Sequence, residues 1–165
     1  MNSVVAKKSQ IHGMGLFMQR NVLKGKLVAR IKGSISTVDK RMLSTKEEAQ
    51  MHPDWVGISM RYWIDPLIPF KYINHSCDPS CGIRGRVELH ALRNLEAGDE
   101  VTIDYSTVEV NPHWQMKCDC GSKKCRNVIK SIEFLPIASF KRYYPFIPTV
   151  FKKFYLRTKN ISDIG

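Results

Sequence analysis

The chain has 165 residues, 26 Lys and Arg against 15 Asp and Glu, and a formal net charge of +11. That length suits one domain with one well-buried core, and 43% hydrophobic residues exclude a disordered tail. No apolar run approaches the roughly 20 residues a bilayer span requires, and no apolar stretch follows Lys7 and Lys8, so Met1 to Gln10 does not read as a secretory signal and an intracellular protein without membrane contact is expected, export by a specialised route aside.

Residues 4–35 mix glycines with short β-branched runs such as Leu27-Val28-Ala29-Arg30-Ile31, which predicts strands and turns. Ser44-Thr45-Lys46-Glu47 has the form of a capping box and predicts a short helix over about 45–51. The rough alternation from Trp55 to Asp65 predicts a strand. Two more are predicted over Arg86–Arg93 and Glu100–Tyr105, with a turn at residues 94–99 between them. From Pro136 to Gly165 the chain carries seven aromatic residues (Phe140, Tyr143, Tyr144, Phe146, Phe151, Phe154, Tyr155) and six basic ones, but only Asp163 as an acid. Pro145 and Pro148 divide this tail into a helical turn and a helix over about 149–158. Aromatics of this number are expected to pack on the main domain; the alternative is a lid or docking surface.

Five cysteines, an odd count in an intracellular chain, argue against a disulfide framework. Cys118, Cys120 and Cys125 follow a C-x-C-x4-C spacing in a polar loop, which suits three thiolates on one zinc ion. A closed tetrahedral site needs a fourth donor from elsewhere: Cys77 or Cys81, and less readily His75, His90 or His113.

Between Ile73 and Ser80 lies a cluster of hydrogen-bonding side chains, Asn74-His75-Ser76-Cys77-Asp78, closed by Pro79. On composition alone it reads as a turn. The cluster nevertheless resembles the Asn-His-Ser-Cys-x-Pro-Asn motif of SET-domain methyltransferases. Gly98 to Tyr105 resembles their Gly-Glu-Glu-Leu-Thr-x-Asp-Tyr motif, and Ile11 to Phe17 their opening His-Gly-x-Gly-Leu-Phe. Cys118 to Asn127 is similar to the post-SET Cys-x-Cys-Gly-x3-Cys-Arg-Gly. The four occur in the family's order, and that order makes the set specific.

The resemblance implies a mostly β SET fold with short helices and a pseudoknot. Its parts are a SET domain over 1–110, a post-SET zinc segment over 111–130 and a basic aromatic tail over 131–165. It implies that Met14, Gly15, Leu16, Asn74, His75, Tyr105 and Asp119 bind S-adenosylmethionine, whose product is S-adenosylhomocysteine. Tyr105, His75 and Asn74 are the implied catalytic residues. One structural zinc ion is implied on Cys77, Cys118, Cys120 and Cys125, which leaves Cys81 free. The implied activity is lysine methylation on a protein tail, with histones the default substrate; the implied location is the nucleus or chromatin in a eukaryotic or viral setting, and the cytoplasm or a host target in a bacterial one. The basic surface adds a possible nucleosome or nucleic-acid contact. The alternatives are a methyltransferase for a non-histone basic protein and a non-catalytic zinc-stabilised chromatin- or DNA-binding module.

Two departures from the motifs bear on function. Ser80 stands where the motif has Asn, so the turn is expected to be held differently. Ile103 stands two residues before Tyr105, where Phe or Tyr is usual. Ile cannot hydrogen-bond a water or amine, which favours more than one methyl per lysine.

Overall fold

A computed structural model describes residues 3–37 and 55–162, and the helix expected over about 45–51 lies outside them. The strands are β1 (Val4–Lys8), β2 (Met14–Met18), β3 (Leu27–Arg30), β4 (Gly33–Thr37), β5 (Val56–Gly57) and β6 (Tyr62–Pro66). They continue with β7 (Asn74–His75), β8 (Cys81–Arg84), β9 (Glu88–Ala91), β10 (Glu100–Ile103), β11 (Gln115–Lys117) and β12 (Val128–Lys130). Two helices close the chain, α1 (Ile137–Tyr143) and α2 (Thr149–Thr158).

The strands form small sheets ordered β1-β2-β10-β7, β3-β9-β8, β4-β6-β5 and β11-β12. In the first, β1 and β2 make an antiparallel hairpin, and β10 adds to the free edge of β2 with Leu16 opposite Val101. The other edge of β10 pairs in parallel with β7, Thr102 opposite Asn74 and Ile103 opposite His75. A segment expected as a turn is thus recruited as a strand. Its pairing carries Asn74 and His75 alongside the strand that leads into Tyr105.

Trp55–Asp65 is not one strand but two, β5 and β6, paired with each other with Gly57 opposite Trp63. The side chain of Ser59 makes the reversal by accepting from the backbone N–H groups of Arg61 and Tyr62. Serine hydroxyls offer this local alternative to a continuing ladder. The expected strands over 86–93 and 100–105 are found, shortened to β9 and β10. Past β10 the carboxylate of Asp104 accepts from Ser106 N–H and caps a 3-10 turn over Tyr105–Val108.

Leu16, Ile83, Leu89, Val101 and Ile103, each at most 1% exposed, centre the main core. A second cluster joins Val110, Ile132 and Leu135 to Phe140, Tyr143, Ile147, Phe151 and Tyr155 of the tail. Phe140 stacks on Tyr155 with ring centroids 4.0 Å apart. Tail residues touch β8 and β9: Ile83 N–H donates to the Phe146 carbonyl, and His90 stacks on the Phe146 ring. Gly82 permits this approach, because a Cβ there would lie 2.4 Å from the Phe146 carbonyl oxygen. Tyr144 alone of the four tail tyrosines and phenylalanines around the Pro145 break stays at the surface, beneath the ammonium of Lys152.

Candidate functional site

Four loops meet at the end of the β10–β7 pair. The first is the turn of the β1–β2 hairpin. The second is the polar corner after β7, where Ser80 replaces the expected asparagine. Ser80 Oγ donates to the Glu100 carbonyl and accepts from Thr102 N–H, so the corner is tied to β10. The third is the 3-10 turn headed by Tyr105. The fourth is the cysteine loop, pinched at its neck by the β11–β12 hairpin, where Cys118 N–H donates to the Asn127 carbonyl at 2.7 Å. Asn127 has φ +60°, in the left-handed region that Asn tolerates better than most side chains.

Between these loops opens a cleft of about 390 Å³, lined by Ile11 and His12, by Asn74, His75 and Tyr105, and by residues 116–120. That volume lies within the range of small-molecule sites. Of the residues expected to bind a cofactor, Asn74, His75, Tyr105 and Asp119 line it. Met14, Gly15 and Leu16 lie in β2 and are not among its lining residues; Met14 is exposed and Leu16 fully buried. Ile11 and His12, just upstream, take the lining position instead.

Asn74 is committed to the hairpin turn. Its Nδ2 donates to the His12 and Met14 carbonyls at 3.2 and 3.0 Å and to Glu100 Oε1 at 2.8 Å. Ser9 Oγ donates to the same carboxylate. Gly15 lies directly beneath, where a Cβ would sit 2.4 Å from Glu100 Oε1. Glu100 and Ser9 were not singled out from the sequence; Glu100 belongs to a recognised motif, but only the fold shows that its carboxylate joins two distant loops.

His75 is 5% exposed, and burial lowers its pKa to about 4; Asp104 opposes that shift and Arg126 reinforces it. It is therefore neutral at ordinary pH. Nδ1 accepts from Tyr105 N–H at 3.2 Å, which leaves the proton on Nε2, 3.3 Å from Cys77 Sγ. The Tyr105 hydroxyl donates to the Ile73 carbonyl at 2.7 Å.

Cys77 Sγ lies 3.8 Å from Cys118 Sγ, which in turn lies 3.7 Å from Cys125 Sγ. Four sulfurs at about 2.3 Å from one zinc ion stand about 3.8 Å apart, so these separations fit a tetrahedral thiolate site. Cys120 belongs to the same group: one donor atom each from His75, Cys77, Cys118 and Cys120 lies within 4.8 Å of every other. Burial pushes the Cys77 and Cys118 thiols up. It pushes Cys120 up too, but the N–H groups of Cys77 and Ser122 and the neighbouring thiols outweigh it and bring Cys120 down to about 7. Arg126 donates to Cys77 Sγ through its backbone N–H and its Nε, at 3.4 and 3.3 Å. Its Nη2 reaches the buried Asp104 carboxylate at 2.6 Å. Cys81, expected to be free, is buried away from this cluster with its thiol pushed up to about 12, chiefly by burial.

A family model described as the SET domain matches residues 13–106. The chain is 30% identical over 137 residues to histone-lysine N-methyltransferase 2B of Homo sapiens, and 28% identical to the trithorax histone-lysine N-methyltransferase of Drosophila melanogaster. Those alignments take in 74% of this chain but only 5% and 4% of the relatives, which are far longer. Among solved structures, KRYPTONITE in complex with DNA, a histone H3 peptide and S-adenosylhomocysteine superimposes with a TM-score of 0.57 at 21% identity, over 76% of this chain and 29% of that one. At that identity the likeness speaks for the fold alone. The chain belongs to the SET-domain family.

Proposed function

We propose that this chain is a protein-lysine N-methyltransferase that uses S-adenosylmethionine and is built around one structural zinc ion. The observation that carries the reading is the single hydrogen-bonded line from Cys77 through His75 to Tyr105, which joins a thiolate cluster to the wall of a cofactor-sized cleft.

We assign zinc to Cys77, Cys118, Cys120 and Cys125, which supplies four thiolates and closes the site. His75 falls within the donor group, but its Nε2 carries the proton, so it acts as a donor to Cys77 rather than as a ligand. The Arg126 guanidinium beside Cys77 offsets part of the negative charge that four thiolates on one divalent ion leave.

Bound in the cleft, S-adenosylmethionine supplies a methyl group activated on a sulfonium. Asn74 holds the hairpin turn against β10 and so fixes the His12 side of the cleft; Asp119 and Lys117 form the opposite wall. Lysine attacks only as the neutral amine, although its ordinary pKa is near 10.4. A dry channel disfavours the ammonium, and the Tyr105 hydroxyl, fixed on the Ile73 carbonyl, orients the nitrogen. With His75 neutral and both its nitrogens engaged, no acid–base dyad is required.

The substrate class we infer is a lysine-bearing protein tail, histone first, which places the chain with chromatin. The curated relatives named as histone-lysine methyltransferases support this. A nucleosome or nucleic-acid contact is assigned to the cationic side of α2, where Lys152, Lys153 and Arg157 lie with no acid in the helix. Among the described residues, no helix is long and apolar enough to cross a membrane.

The test is incubation with labelled S-adenosylmethionine and a panel of histones, nucleosomes and non-histone basic proteins. Label should enter a histone, and Tyr105→Phe should lower the rate by roughly 10²-fold or more, as loss of a transition-state hydrogen bond does. Cofactor binding with no transfer to any member of the panel would instead favour a binding module.

A further inference from the structure

We propose that Tyr143 and Arg142, on α1 of the C-terminal tail, are positioning residues that lock the metal-bearing corner at Cys77 to the strand end at Asp104. Both lie outside the segment that matches the SET-domain family, residues 13–106. The proposal rests on the zinc assignment made above.

The geometry forms a closed set. Tyr143 Oη lies 3.0 Å from the Cys77 carbonyl and 3.1 Å from Asp104 Oδ2. Arg142 Nη2 lies 3.1 Å from the same carbonyl and 3.0 Å from Tyr143 Oη. A phenol has one proton and an Nη2 amine has two. One assignment uses all three without conflict: Tyr143 donates to Asp104, and Arg142 donates to the Cys77 carbonyl and the Tyr143 oxygen.

Asp78, the next residue of the corner, adds ion pairs to both sides, 3.8 Å to Arg142 Nε and 3.0 Å to Lys124 Nζ of the cysteine loop. The tail and the cysteine loop therefore grip the same corner from opposite directions. Cys77 is the only member of the thiolate set outside residues 118–125, so its placement decides whether the cluster closes. Asp104 immediately precedes Tyr105, and the same latch reaches the methyl-transfer side of the cleft.

Tyr155 provides the control. It is as deeply buried as Tyr143, but its hydroxyl donates to the Leu135 carbonyl, well inside the tail cluster. Both Tyr→Phe changes remove one buried hydroxyl, and only one touches the corner. Arg142→Ala, at a half-exposed position, removes the other half of the latch without opening the core.

The experiment follows zinc release from the full, zinc-loaded chain to a chromogenic chelator, together with the Kd for S-adenosylhomocysteine. Tyr143→Phe and Arg142→Ala should each release zinc about tenfold faster than wild type, the factor one ordinary hydrogen bond is worth. Tyr155→Phe should lower the Tm without speeding release. If wild type retains zinc and neither latch variant releases it faster than Tyr155→Phe, the positioning role is refuted while the metal centre stands. If wild type takes up no zinc at all, the metal assignment falls and the latch with it.

Discussion

Replacing Arg126 by Met removes, among the described residues, the one permanently cationic partner of a carboxylate sealed inside the protein. Asp104 is 1% exposed at its side chain and Arg126 17%, with Nη2 2.6 Å from Oδ1. Ser106 N–H and Tyr143 Oη remain on that carboxylate, but both are neutral. Breaking a buried pair from one side costs about 3–5 kcal/mol, because an uncompensated charge stays behind. For a chain of 165 residues each kcal/mol moves the Tm by about 2–4 °C, so Arg126→Met should lower it by about 6–20 °C. Thermal unfolding at one fixed zinc concentration measures this, since bound metal itself shifts the midpoint. Asp104→Asn should also destabilise, and the double variant should lose less than the sum of the two by about 0.5–3 kcal/mol. A Tm drop below about 2 °C for Arg126→Met, or strict additivity in the cycle, would refute the claim that the pair is a buried charge compensation.

Gly15→Ala drives a methyl into Glu100 Oε1, so the carboxylate must leave Asn74 and Ser9. The cost should be about 1–3 kcal/mol by chemical denaturation, and Glu100→Ala in the same chain should recover part of it; no recovery would place the strain elsewhere. The product distribution tests Ile103, which precedes Tyr105 by two residues and is 1% exposed. Mass spectrometry at full turnover should show di- or trimethyllysine, and monomethyl product alone would reject the reading.

Much of this arrangement is legible in the chain because its chemistry sits in contiguous motifs. C-x-C-x4-C keeps three cysteines within one short loop, so a metal-type cluster was expected from spacing alone, whereas Cys77 came only from a resemblance and only the fold sets it 3.8 Å from Cys118. The helix over 149–158 was readable because Pro148 leads it and no later proline interrupts it. What could not be read is pairing across distance. Asn74 and His75 look like turn residues until β10 arrives beside them, and then two residues suffice for a parallel ladder. The break of Trp55–Asp65 into a hairpin hinges on one serine hydroxyl, which no alternation pattern registers. The Tyr143–Asp104 contact, spanning 39 positions, has no local signature at all.

The placement of β10 against β2 also sets an order of events during synthesis. Leu16 must wait for Val101, 85 residues downstream, before the outer edge of its hairpin is covered. At ordinary translation rates that interval is roughly 4 to 17 s, during which an apolar β-ribbon stands open to any neighbouring nascent strand. A ribosome that stalls between those two points leaves a fragment whose hazard is aggregation, and the protein's yield in a cell is expected to depend on how quickly that stretch is traversed.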